Sequence, residues 1–287
     1  MHIRTFDSIA DFLGHTALFL ERREVENNLL LGVLGHLRQT PPATPPLLCA
    51  VEDGSAVIGA AVHQAPHKLL LTDMPPLAVA SLADALARKR LVFPGALGPG
   101  PAAELFARAW GKLSGRSVAA PRALFLYQAD RIAAPRPAPG RFREAIAGEA
   151  ELLLPWIASF LDEVQDRTMK AEPRLVQTLI AEGRLFVWED GPVVSMAAWS
   201  GGALRYARVN FVYTPPGHRG RGYASNCVAA LSRRLLESGK AGCCLFTHAD
   251  NPTPNAIYRR LGYEPVGSFR EYWFQQASAS VPGFSHP

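Results

Sequence analysis

The stretch Tyr213–Ala224, reading Y-T-P-P-G-H-R-G-R-G-Y-A, constrains the fold of this chain more than any other. The alternating run Leu204–Tyr213 leads into it and predicts a strand. Ala224, Val228, Leu231 and Leu235 follow at helical spacing, with Arg233, Arg234 and Glu237 on other faces, and predict an amphipathic helix. A strand, a Gly-rich turn and a helix in that order make an anion site. Gly217, Gly220 and Gly222 let the backbone turn sharply and approach a ligand. The first amides of the helix are free to donate, and the helix dipole favours negative charge there. Arg219 and Arg221 add positive charge. The guest this chemistry suits is a phosphate or pyrophosphate.

Around that stretch the same order of elements is read twice. In the first half, His2–Phe6 is a strand and Ser8 with Asp11 opens a helix. A second helix carries Leu30, Val33, Leu34 and Leu37 and ends at the prolines of 41–46. Leu47–Glu52 and Ala56–Gln64 form a hairpin about Asp53-Gly54. Lys68–Thr72 and Val92–Leu97 are strands, Val79–Lys89 and Ala102–Lys112 helices, and Leu124–Ala129 a closing strand. Ala133–Gly140, A-A-P-R-P-A-P-G, has no periodicity and is the best candidate linker. After it come a strand at Arg141–Ala147 and a helix with the stripe Leu153, Trp156, Ile157, Phe160, Leu161 and Val164. A second helix spans Leu175–Ile180, and Leu185–Trp188 with Val193–Trp199 makes a hairpin. The loop with its strand and helix follows, then a strand at Cys243–His248, a short helix at Asn255–Leu261 and a last strand at Ser268–Phe274. Both halves read β-α-α-β-β-β-α-β-α-β, which suggests a duplicated fold whose copies have diverged. In the first copy the position of the anion loop falls at Leu97–Pro101 or at the D-M-P-P following Lys68–Thr72. Neither carries its arginines and glycine spacing.

A chain of 287 residues with a formal charge of +5 fits one large domain or two ordinary ones with a mildly basic surface, which is weak evidence for nucleic acid. The single Arg-Gly-Arg-Gly is set between a strand and a helix, so the anion-loop reading is better than an RNA-binding one. Cys49, Cys227, Cys243 and Cys244 contain no C-x-x-C pair and are read as reduced, packed thiols rather than nucleophiles. His63 and His67 are four apart, but Pro66 breaks any helix between them, and no metal is expected. The N-terminus has no secretory apolar region, and the longest apolar patch, Leu29–Leu34, is too short to span a bilayer. A cytoplasmic protein without a membrane partner is expected.

The site itself lacks the GK[ST] of a P-loop and the G-x-G-x-x-G of a dinucleotide fold. Arg219-x-x-Gly222-x-Ala224 resembles the R/Q-x-x-G-x-G/A signature of the GCN5-related N-acetyltransferases (GNAT). Downstream, Asn251-Pro-Thr-Pro-Asn255-Ala256-Ile257-Tyr258-Arg-Arg-Leu261-Gly262-Tyr263 resembles that family's second segment. The resemblance covers Arg141 to about Phe274. It implies an α/β fold (α+β in some schemes) of two GNAT-like domains, each a mixed, mostly antiparallel twisted sheet flanked by helices. Residues 1–132 would form a degenerate copy, 133–140 the linker, 141–276 the catalytic domain with a splayed cofactor strand, and 277–287 a tail. One active site per chain is expected.

The resemblance also implies roles. Acetyl-CoA would be the cosubstrate and a small-molecule or peptide amine the acceptor, attacking the thioester directly, in a monomer or homodimer. Phe211, Val212 and Tyr213 would hold the pantetheine arm, their amides polarising the thioester carbonyl. Gly217, His218, Arg219, Gly220, Arg221, Gly222, Tyr223 and Ala224 would cradle the pyrophosphate. Asn251 would bond the pantetheine amide, and Tyr258 would protonate the leaving thiolate. Glu163 and Asp162 end a helix where the family's acceptor pocket begins, and Glu163 is the candidate base. His248 and Asp250 end the following strand, and Asn210 and Tyr206 offer a water chain instead. Pro254 stands where many members have a small polar residue, acceptably for the first turn of a helix. A non-catalytic acyl-CoA-binding module and an acyltransferase for longer acyl chains are the alternatives.

Overall fold

A computed structural model describes residues 1–201 and 204–275; the tail expected at 277–287 lies outside them. The first copy runs β1 (His2–Phe6), α1 (Ile9–Glu21), α2 (Glu24–Gln39), β2 (Leu47–Asp53), β3 (Ala56–His63), β4 (Leu69–Leu71), α3 (Pro76–Arg88), β5 (Gly95–Pro99), α4 (Gly100–Ser114), a two-residue β6 (Ser117–Val118) and β7 (Arg122–Ala129). The second runs β8 (Arg141–Glu144), α5 (Ala150–Glu163), α6 (Pro173–Ala181), β9 (Leu185–Glu189), β10 (Val193–Ser200), β11 (Tyr206–Tyr213), α7 (Tyr223–Glu237), β12 (Gly242–His248), α8 (Pro252–Arg260) and β13 (Glu264–Gln275). The expected order is present in both copies. Ser8 caps α1, its hydroxyl accepting the Asp11 N–H at 3.1 Å. The strand expected at Val92–Leu97 starts only at Gly95, because Pro94 has no N–H to give a ladder and Val92 faces water. The last strand begins four residues before the expected Ser268, with a bulge between Pro265 and Gly267 absorbing the irregular start.

One sheet joins the copies, in the order β1-β2-β3-β4-β5-β13-β7-β12-β11-β10-β9-β8. Two pairs are parallel, β4 with β5 and β11 with β12. The last strand of each copy has crossed to the other. β13 runs antiparallel to β5, from Phe269 opposite Pro99 to Trp273 opposite Gly95. β7 runs antiparallel to β12, from Cys243 opposite Ala129 to His248 opposite Leu124. At the centre β7 and β13 pair with each other, Arg122 opposite Glu271. Each half-sheet is therefore completed by the other half's chain.

The Pro/Ala stretch between the copies is docked along the second one. Ala133 donates its N–H to the Leu261 carbonyl at 3.0 Å. Asn226 Nδ2 donates to the Arg136 carbonyl at 2.9 Å, and Trp188 Nε1 to the Pro139 carbonyl at 2.7 Å. Across the junction of the copies, Lys68 Nζ lies 2.6 Å from Glu271 Oε1, with both side chains under a tenth exposed.

Helices cover both faces. On one, Ala207, Val209, Cys243 and Leu245 pack with Tyr223, Cys227, Val228 and Leu231 of α7 and Tyr258 of α8. On the other, Val25 of α2 packs with Cys244, Leu126 and Phe269, flanked by Tyr206, Leu124 and Phe246. The even-numbered residues at the start of β11 and β12 thus face α2, and the odd-numbered ones face α7.

Candidate active site

The parallel pairing of β11 with β12 runs from Tyr206 opposite Gly242 to Arg208 opposite Cys244. Beyond that point β11 continues to Tyr213 and β12 to His248 without pairing to each other. The cause is visible on the other edge of β11. Its register against β10 shifts by one residue between Met196 opposite Tyr213 and Ala198 opposite Asn210. Phe211 sits in that bulge with φ 48°, a left-handed conformation for a non-glycine residue. Such a conformation costs on the order of 1–3 kcal/mol and persists only where its surroundings impose it. Here Phe160 of α5 meets the Phe211 ring edge-on at 5.5 Å, and Trp156 lies 6.1 Å from the Tyr213 ring. Ser195 Oγ donates to the Tyr213 carbonyl at 3.1 Å. The result is a V-shaped gap between two strands, with unpaired backbone from Val209 to Tyr213 along one side.

The Gly-rich loop closes the end of the gap. Gly220 and Gly222 have φ 78° and 83°, and Gly222 caps α7 with no side chain on the helix end. The first helical bond runs from the Asn226 N–H to the Gly222 carbonyl at 3.0 Å, which leaves the Tyr223, Ala224 and Ser225 amides ahead of it unbonded within the helix. Arg221 is exposed beside them. Arg219 Nε donates to the Thr214 carbonyl at 2.8 Å, and its guanidinium lies over the Tyr213 ring. His218 Nδ1 is buried without a partner. Tyr223 donates its hydroxyl to Asp190 at 2.5 Å, with Arg221 of the loop beside the same hydroxyl.

The second segment follows at the end of β12. Asn251 precedes α8, and Pro252 starts it. Asn255 Nδ2 donates to the His248 carbonyl at 2.9 Å and the Asn251 carbonyl at 2.6 Å, latching helix to strand. Its Oδ1 is buried and unpartnered. Pro254 lies in the first turn of α8, where its missing N–H is not needed. Tyr258 is 8% exposed, its ring set against Tyr127 and Tyr263. Burial raises its phenol well above the ordinary value, so the hydroxyl stays protonated.

The Glu163 carboxylate is ion-paired with Arg219 of the loop, both groups about half exposed. The His248 ring lies against the Arg122 guanidinium. Arg122 Nη2 lies 3.1 Å from Nδ1 and 2.9 Å from Nε2, and the Val164 carbonyl also faces the ring. Burial, then the Arg122 charge, lowers its pKa. Arg122 itself donates to the Val164 and Gln165 carbonyls and lies 3.4 Å from Glu271. Burial pushes the thiols up, Cys243 to about 11 and Cys49 and Cys244 to about 12, and Cys227 higher still. None is a thiolate at neutral pH. Among the described residues no cluster of metal-ligating side chains occurs, and no helix is long and apolar enough to cross a membrane.

The first copy has no such gap. Between β4 and α3 it places only Thr72, Asp73, Met74 and Pro75, so the D-M-P-P segment is the counterpart of the loop. Met74 is buried and packs against Gly59. A Cβ on Gly98 of β5 would come within 2.8 Å of Leu71 Cβ, so β4 and β5 stay pressed together. Asp73 puts a negative charge in this segment, where the second copy's loop carries arginines, and pairs with Arg23.

Comparison with known proteins agrees with this geometry. Residues 189–274 match the family model described as FR47-like protein. No curated protein matches. An X-ray structure of a Drosophila protein aligns over 96% of this chain and 98% of its own, at 14% identity and a TM-score of 0.69. An acetyltransferase from the GNAT family from Colwellia psychrerythraea aligns over 96% and 100%, at 14% identity and a TM-score of 0.59. A tandem GNAT protein from the clavulanic acid biosynthesis pathway aligns over 95% and 97%, at 16% identity and a TM-score of 0.54. The chain thus has the fold of the GCN5-related N-acetyltransferases, including that of a tandem member, and its match to the FR47-like family model lies wholly within the second copy.

Proposed function

We propose that the chain is a cytoplasmic acetyl-CoA-dependent N-acetyltransferase with one active site, in the second copy. The observation that carries this reading is the combination of splayed strands and an uncapped helix at one end of the gap. The pyrophosphate would lie on Gly217–Ala224, against the free amides of α7 and the charges of Arg219 and Arg221. Each such helix-end interaction contributes about 0.3–1 kcal/mol where exposed. The pantetheine arm would lie along Phe211–Tyr213, with Asn251 at its far side.

The amine nitrogen attacks the thioester carbonyl carbon, and the N–C bond forms. The oxyanion takes hydrogen bonds from unpaired β11 backbone amides. Collapse breaks the C–S bond, and the thiolate takes the Tyr258 proton. The proton shed by the attacking nitrogen returns to the phenolate. Tyr258 suits this role because it stays protonated and lies on the α7/α8 side of the gap, while the acceptor enters from the α2/α5 side. The cysteines, held as thiols, leave direct attack as the favoured route. Glu163 serves the loop by fixing Arg219 and does not take the amine proton.

Tyr258→Phe is therefore expected to lower turnover about 100-fold, in line with the usual worth of a positioned acid, with the CoA dissociation constant changed less than about threefold. Steady-state kinetics and calorimetry separate the two, and unchanged turnover removes Tyr258 from the mechanism. In the same assay Glu163→Gln is expected to change turnover less than about threefold, as fits an exposed ion pair. A loss like that of the tyrosine variant would restore Glu163 as the base.

A further inference from the structure

Arg208 stands where β11 parts from β12, opposite Cys244 and on the face covered by α2. Its guanidinium lies against Gly32 of α2, 3.5 Å from where a Cβ there would be. Nη1 reaches Asn28 Oδ1 at a long 3.5 Å. Asn28 spends its own Nδ2 on the Tyr206 carbonyl, and Glu24 accepts the Tyr206 N–H at 2.8 Å. Among the described residues no carboxylate pairs with Arg208. Cations elsewhere in the second copy and at the junction do have carboxylates. Lys68 and Arg122 share Glu271, Arg219 has Glu163, and Arg234 has Glu144. Burial lowers the Arg208 pKa, opposed only by the Cys244 thiol. A deeply set cation without an anion is costly, and such sites are stabilised by a guest that brings one.

Two residues along the strand, beside the Phe211 bulge, Asn210 donates Nδ2 to Ser200 Oγ at 3.2 Å. Its Oδ1 is buried and has no partner. A cation with no carboxylate beside it and an unpartnered acceptor thus stand about 7 Å apart along β11, on the side of the gap opposite Tyr258. The acceptor position is the one nearest the thioester carbonyl in the reading given above, on which this inference rests.

We propose that the acceptor is a small amino acid, its carboxylate bound by Arg208 and its amine N–H accepted by Asn210 Oδ1. A guanidinium takes a carboxylate through two parallel N–H bonds, which fixes the amine's direction as well as its affinity. The first copy contributes to specificity here, since α2 forms the wall behind Arg208.

The test compares glycine, β-alanine and γ-aminobutyrate with their carboxamides as acceptors, in the wild type and in Arg208→Gln and Arg208→Lys. CoA affinity serves as the fold check for each variant. The carboxylates are expected to exceed the matched amides at least 30-fold in kcat/KM. The ratio should fall toward one in Arg208→Gln through KM, and lie between in Arg208→Lys. Amides used as well as carboxylates, or a ratio unmoved by Arg208→Gln, overturns the proposal. A second arm needs no turnover: the CoA-loaded protein is melted with N-acetylglycine and with N-acetylglycinamide. Stabilisation by the acid alone, lost in Arg208→Gln, supports the carboxylate site even where no amine is acetylated. Equal shifts overturn it. Failure of every amine with a positive melting result would sink the transferase reading and leave this site standing.

Discussion

Gly222→Glu is expected to weaken CoA binding at least about 100-fold, the equivalent of roughly 2.7 kcal/mol, while the chain still folds. Gly222 is the residue before the first turn of α7, at φ 83°, and the atoms around its missing Cβ lie at ordinary contact distances of 3.6–3.9 Å. A side chain there strains the backbone by about 1–2 kcal/mol but collides with nothing. Its carboxylate would add a negative charge at the residue next to the free amides of α7, and would repel a pyrophosphate. Gly148→Ala is the control. Gly148 lies outside the loop, with open space around it and no left-handed φ, so CoA affinity and melting should both be unchanged. Calorimetry with CoA reads the difference, and undiminished binding in Gly222→Glu would remove the loop from the cofactor site.

The second large effect concerns the joint between the copies. Glu271→Ala leaves Lys68 buried without its partner, and breaking a buried pair in this way costs about 3–5 kcal/mol. For a chain of this size the melting temperature should fall by roughly 10 °C. Lys68→Met with Glu271→Leu should restore most of the loss, because an apolar pair of similar volume carries no desolvation cost. Glu271 lies on β13 and Lys68 beside β4, so the pair spans the exchanged strands. Both copies should therefore unfold in one transition, followed by circular dichroism. A drop below about 1 kcal/mol, or two separate transitions, would mean that the copies do not depend on the exchange.

The site was legible in sequence where local chemistry encodes it. The glycines and arginines of 217–222, the helix after them and the Asn251–Tyr263 segment name a loop and its partner without tertiary information. The exchange of β7 and β13 was not legible. Leu124–Ala129 and Ser268–Phe274 carry equivalent apolar patterns, and nothing local says which copy's sheet each joins. The left-handed φ of Phe211 was likewise hidden, because it is imposed by the Ala198–Met196 register and by Phe160, not by its own side chain. Glu163 was placed near the acceptor by resemblance, and its ion pair with Arg219 is a contact that sequence position alone cannot name. Arg208 had no reading for a related reason. The alternation of R-Y-A-R-V-N-F-V-Y names a strand, but not that it is central with helices on both faces. A polar pair alternating along a strand that must be central was the available signal.

The central claim is tested most directly by free-thiol release from acetyl-CoA, measured across an amine panel beside CoA binding on the same protein. The account predicts release that requires an amine, saturates in both substrates and gives intersecting initial-rate plots, as a ternary complex does. Tight CoA binding with no amine-dependent release would contradict it, and would make the second copy a cofactor-binding module instead of an enzyme.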